Sequence, residues 1–299
     1  MDVFFTKSYY ALSATAFLIG TGTSAIPLIT AGLSRQKNGT KHIDRIMAGV
    51  LTGILFSRFM SSMLSELWGW KSIYAIASIL MFLSCILLFI FYPTSYDKNN
   101  QDKSSYIRIL YLNINGIRQD VAIRHYCFNA FSIMFLFSAF WSNVSMFLTT
   151  TFHFSQSQVG LFSLTGATGA LSVLFSSWIL KIINHKNNPL YFLIVISLLM
   201  MGIYGNNLII TITGALLIDA FIQLIHVNNQ RGLFLSCKGN EARAASCYMT
   251  SFVTGGAIGG FISSYLYSVS GWSVVLISCA IITLIPMFMK LRENVNEKY

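Results

Sequence analysis

The side chains with the most chemical potential lie inside apolar surroundings. Asp219 sits near the middle of the apolar run 208–229, and Gln223, His226 and Gln230 follow it at i+4, i+7 and i+11 on one helical face. A charge at the centre of a bilayer costs about 2.5–3.5 kcal/mol on insertion scales. The stripe must therefore face a cavity or another helix rather than lipid. A neighbouring helix would offer a Ser or Thr for a packing hydrogen bond. Arg58 lies about 10 Å from the outer end of its run, at 1.5 Å per residue. That is close enough to snorkel to the headgroups, yet Ser61, Ser62 and Ser65 share its face and favour the protein interior. Both placements stay open. Glu66 and Lys71, beside Trp68 and Trp70, read as interfacial anchors without further function.

Other constellations fail. The five histidines are dispersed and the glycines form no phosphate loop, so no nucleophile, metal or phosphate chemistry is expected. The five cysteines are odd in number and scattered, which predicts free thiols. No cofactor is expected, and no enzyme. Small residues recur every fourth position at Gly49, Gly53, Ser57, Ser61 and Ser65, and again as Gly255/Gly259 and Gly256/Gly260. That spacing lets helix backbones approach closely, so packing is the main reading.

The elements that carry these residues follow from composition. The chain is 55% hydrophobic and 10% charged, against about a quarter charged in soluble domains. Its apolar residues gather into runs of about 17 to 27, and a helix needs about 20 to cross a hydrocarbon core. Nine spans are expected, near 8–33, 43–65, 70–92, 124–150, 156–180, 189–206, 208–229, 246–268 and 272–290. The first is no signal peptide, since it ends in Pro27-Leu28-Ile29 rather than at a small-residue cleavage site. The net charge of +10 does not point to nucleic acid, because of where it lies. Seventeen of the 20 lysines and arginines fall in alternate connections and the C-terminal segment; Lys7 and Lys71 fall in the others, and Arg58 in a span. The positive-inside rule then puts the N-terminus outside and the C-terminus in the cytoplasm.

An internal repeat organises the spans. At an offset of 202, residues 53–70 align without a gap on 255–272, and seven positions coincide, among them Gly53/Gly255, Gly69/Gly271 and Trp70/Trp272. Each copy is a small-residue helix, a Gly-Trp turn and a second helix after a basic loop. Repeated halves of the same orientation mark transporter folds. If the second half begins near 124, its counterpart begins about three helices before Met1. The chain then divides into a partial first bundle over 1–93, a polar cytoplasmic linker over 94–123, and a six-helix bundle over 124–299.

These residues resemble the bacterial drug and sugar efflux permeases of the major facilitator superfamily. The most similar stretches are Ala48–Tyr74, with its glycines, internal arginine and Gly-Trp-Lys turn, and Asn228–Trp272, with NNQRG, EARAASCYMT and GGAIGG. The resemblance implies an all-α polytopic bundle of about nine transmembrane helices, three from the N-terminal half and six from the C-terminal half. It implies secondary transport of a small solute, as proton-coupled efflux, from a multi-pass position in the bacterial inner membrane. The partners would be the solute, protons and the bilayer. The family's tenth helix lines the central cavity, so Asp219 would carry a proton or meet a cationic substrate, with Gln223, His226 and Arg58 along the same pathway. The ridges of Gly49, Gly53, Ser57, Gly255, Gly256, Gly259 and Gly260 would lie where the halves rock. The family's signature loop and first helix would precede Met1. Its echo after the eighth helix is here SSWILKIINHKNNP, without an acid. The alternative function is a truncated, non-transporting remnant or membrane-bound assembly subunit; residues 1–299 alone are expected to be poorly stable and inactive in transport.

Overall fold

The computed structural model describes residues 59–91, 120–184, 186–237 and 241–296, together with Gly53, Phe56, Ser57 and Arg118. Arg58, Gly49, the expected span 8–33 and most of the linker lie outside the described residues. Among the described residues every regular element is helical. In chain order these are α1 (59–68), α2 (Trp70–Phe91), α3 (Val121–Thr151), α4 (Gln156–Ser163), a 3₁₀ turn (Leu164–Gly166), α5 (Ala167–Leu174), α6 (Ser176–Ile182), α7 (Asn188–Ile203), α8 (Leu208–Ser236), α9 (Glu241–Ser270) and α10 (Trp272–Asn296).

Among the described residues α2, α3 and α8 are long and apolar enough to cross a membrane, and residues 156–182 make a fourth if their bent pieces count as one span. α7 and the Trp272–Met287 part of α10 are apolar but shorter. α9 contains the expected span 246–268; its Gly, Ser and Thr residues keep it less apolar than those three. The expected span 156–180 is not one straight helix: a 3₁₀ turn interrupts it, and at Phe175 the axis bends by 73°.

Local chemistry explains the ends. Asp120 caps α3 by accepting from the amides of Ala122 and Ile123 at 2.9 and 3.2 Å, and Asn207 caps α8 through Ile209 and Ile210. Ser155 and Gln158 form a capping box at α4. The two Gly-Trp turns have the same build. Gly69 and Gly271 have φ of +80° and +78°, and their amides donate to Ser65 and Tyr267, each four residues back, at 3.0 and 2.9 Å. That left-handed C-cap favours glycine, because a Cβ there meets the following carbonyl.

The contacts divide the chain into two compact units. One holds residues 1–103 with 155–164, hence α1, α2 and α4; the other holds 104–154 and 165–299. In the first, α4 runs antiparallel to α1: a Cβ on Gly160 would meet Ser62, and a turn further along Glu66 accepts from the Ser157 amide. In the second, α3 is central, burying Ile133, Leu136, Ala139, Phe140, Val144 and Leu148. α9 packs along α3, α10 against α7 and α3, and α8 against α5, α7 and α3. The approach of α9 to α3 is backbone to backbone: Cβ atoms on Gly255 and Gly259 would lie 2.2 Å from the Phe131 carbonyl oxygen and 2.4 Å from that of Phe135. Farther along, Asn143 donates to Ser263 at 2.8 Å.

Candidate functional site

Asp219 lies at the centre of the second unit, 3% exposed. α8 delivers it to a junction with α3 and the start of α5. One carboxylate oxygen accepts from the Gly169 amide at 3.0 Å, and the other from the Trp141 indole at 3.3 Å. Gly169 is the third residue of α5, within the first turn, where helix amides lack intrahelical partners and the helix dipole favours an anion. A side chain there would have to push the carboxylate aside. A Cβ on Gly169 would be 2.2 Å from the carboxylate and 2.8 Å from Cγ of Gln223. Flanking bonds fix the register of α5 on α8: Thr168 Oγ1 donates to the Leu216 carbonyl at 3.0 Å and Ser172 Oγ to that of Ala220 at 3.1 Å.

The partners of Asp219 are thus a backbone amide and an indole, in place of the Ser or Thr hydroxyl that a packing bond suggested. Asp219 and Gln223 share the face that meets α5. His226, at i+7, instead meets α9, its Nδ1 3.0 Å from the Tyr248 hydroxyl and its ring 4.6 Å from that of Phe252. Gln230 is half-buried further along. Gly53 and Ser57 are exposed, and a Cβ on Gly53 would meet nothing within 4 Å. Gly256 and Gly260 face Met134, Ser138 and Ser142 on α3, at 3.0 Å or more.

Sequence reasoning passed over a second set of polar groups. Tyr191 donates to Asn129 at 2.8 Å, and the other end of that carboxamide meets His125 at 3.0 Å. Asn187 donates to Asn229 and accepts from Asn228, at 2.8 and 2.7 Å. The available signal was the i, i+4 pair His125/Asn129 at the head of an apolar run. Glu66 also needs correction. It caps the N-terminus of α4 through Ser157, whose side-chain and backbone hydrogen bonds hold its carboxyl below the ordinary value of 4.5.

The geometry places a buried carboxylate among fixed donors in a helix that crosses the membrane, an arrangement suited to holding charge or a proton. Comparison with known proteins bears on the family. The family model described as Major Facilitator Superfamily matches residues 3–237 and again 126–298. The chain is 27% identical over 267 residues to "Putative uncharacterized transporter YgaY" of Escherichia coli K12 and 27% identical over 273 to "Uncharacterized transporter YgaY" of E. coli O157:H7. Each alignment covers 88% of this chain and 67% of the relative. It is 20% identical over 260 residues to "Probable transporter SCO4007" of Streptomyces coelicolor, covering 86% of this chain and 59% of that one. The chain thus spans about two thirds or less of the length of these curated relatives. The two family matches overlap over 126–237, as they would if both halves of the chain were built to one plan, and together they make it a member of the major facilitator superfamily.

Proposed function

We propose that this member of the superfamily exports a small solute in exchange for protons, as the drug and sugar efflux permeases do, with Asp219 as the group that takes up the proton. The observation that carries this reading is a carboxylate buried to 3% exposure in a membrane-crossing helix, held by one amide and one indole. Intramembrane acids of this kind mark ion and proton routes. Gln223 beside it would contact the solute, and His226 and Arg58 would lie further along the route.

In this reading residues 1–93 and 124–299 belong to two helical bundles joined by a cytoplasmic linker over 94–123. The excess of basic residues in alternate connections supports a cytoplasmic C-terminus, and the bacterial relatives support a plasma-membrane location. The close packing of Gly255 and Gly259 on α3 supports a rigid α3–α9 pair against which other helices move.

The test is flux. Purified protein would be reconstituted into liposomes holding a pH-sensitive dye and challenged with a panel of cationic drugs and sugars. A solute that moves protons in the wild type should do so at least about tenfold more slowly in Asp219→Asn at matched insertion, because a carboxamide cannot take up the proton. Equal proton flux in the two proteins would remove Asp219 from the pathway.

A further inference from the structure

One stretch of chain changes partners halfway along its length. Up to Ser163 it packs on α1: Gly160 lies against Ser62, and Glu66 caps its first turn. From Thr168 onward it is fastened to α8 by the bonds of Thr168, Gly169 and Ser172. The 3₁₀ turn Leu164–Gly166 lies between these two sets of contacts. Short 3₁₀ stretches within helices have poorer hydrogen-bond geometry and often mark hinges. Among the described residues the Thr165 hydroxyl in this turn is buried without a hydrogen-bond partner. In a continuous α-helix it could donate to the carbonyl four residues back, so a straightened turn has a bond to gain.

Of the three bonds that fasten α5 to α8, two join a hydroxyl to a backbone carbonyl and are indifferent to protons. The third is different. The carboxylate of Asp219 accepts two N–H donors, one on each oxygen. A proton on either oxygen turns an acceptor toward a donor, breaks one of the two bonds, and removes the attraction between the carboxylate and the first turn of α5. Among the described residues of the three helices that meet at Asp219, little else can answer to pH. α5 carries no titratable residue, α3 carries none after Cys127, and on α8 the nearest is His226, which faces Tyr248.

We propose that the Leu164–Gly166 turn is a hinge in this span and that the Asp219 carboxylate is the pin that holds α5 beyond it, withdrawn when the carboxylate is protonated. The proposal rests on the reading of Asp219 as the proton-binding group and gives that proton something to move. It assigns Trp141 and Gly169 to the pin, Gly169 because a side chain there would push the carboxylate off the α5 amide.

Hydrogen exchange read by mass spectrometry, on the full chain in lipid nanodiscs, tests it without a transport substrate. With rates corrected for intrinsic pH dependence, amides 165–170 should exchange about tenfold faster in Asp219→Asn than in the wild type, the scale of one lost charge-assisted hydrogen bond. α4 and α9 should stay unchanged. Trp141→Phe, which removes the indole donor to the same carboxylate, should raise exchange in the same amides by a smaller factor and keeps the test decisive if Asp219→Asn folds poorly. No change in 165–170, or a rise spread evenly over α5 to α10, overturns the hinge. Unchanged exchange together with lost proton flux in Asp219→Asn would overturn the hinge and leave the transport reading standing; faster exchange with proton flux intact would uphold the pin and sink the transport role of Asp219.

Discussion

Two neighbouring glycines of α9 should respond oppositely to the same one-carbon change. A methyl group on Gly259 would sit 2.4 Å from the carbonyl oxygen of Phe135, 2.7 Å from its Cα and 2.9 Å from its carbonyl carbon. All three are backbone atoms, so no side chain can swing aside. Ordinary contact begins near 3.4 Å, which means that α9 and α3 must part by about 1 Å at this point. Overpacking of this size costs about 1–3 kcal/mol. A methyl group on Gly260 meets Ser142 Oγ at 3.4 Å and Ser138 Cβ at 3.9 Å, ordinary contacts, and Ala there gains about 0.5–1 kcal/mol in helix propensity. Tryptophan fluorescence during a thermal ramp in detergent should place Gly259→Ala about 3–10 °C below the wild type, with Gly260→Ala level or slightly above. Gly255→Ala, with its methyl group 2.2 Å from the Phe131 oxygen, should match Gly259→Ala. The double variant should lose less than the sum, since one displacement relieves both clashes. A wild-type melting point for Gly259→Ala, or equal damage from Gly260→Ala, would refute the reasoning.

Two further outcomes are expected. Glu66→Gln should weaken amide protection over 156–160 at neutral pH. Because the folded-state value of Glu66 is depressed below 4.5, its contribution is present above 4.5 and fades as the pH falls through the lower folded value; protection that differs equally at all pH would show that the charge is not involved. Tyr191→Phe should strand the buried Asn129 oxygen, which accepts at 2.8 Å, and cost about 1–3 kcal/mol; an unchanged melting point would mean that the pair is not worth more than its apolar replacement.

Much of the architecture was legible because it is set by local rules. The Gly-Trp turns at 69 and 271 stood out at an offset of 202, and both glycines hold the left-handed conformation that favours their residue type. Asp219 stood out because an acid in an apolar run has few neighbours to explain it. Its partners did not, since Trp141 and Gly169 lie 78 and 50 residues away and neither an indole nor a glycine amide announces itself as a donor. The small residues of α9 were visible as a ridge, whereas their seat on the carbonyls of Phe131 and Phe135 was not.

Glu66 shows the limit from the other side. Its position at the end of an apolar run beside tryptophans suggested an interfacial anchor, yet the amide it caps belongs to Ser157, 91 residues on. Period and composition likewise made 156–180 one span, because hydropathy averages over a break. The sequence alone determined membrane residence, the repeat, the capped turns and the presence of a buried acid, all of which depend on side-chain transfer energy and short-range backbone sterics. Only the tertiary structure decided which helix each polar group faces, where the 156–182 stretch breaks, and why a side chain on Gly169 would displace the Asp219 carboxylate. Those depend on contacts between residues far apart in the chain, where a few tenths of an ångström separates a hydrogen bond from a clash.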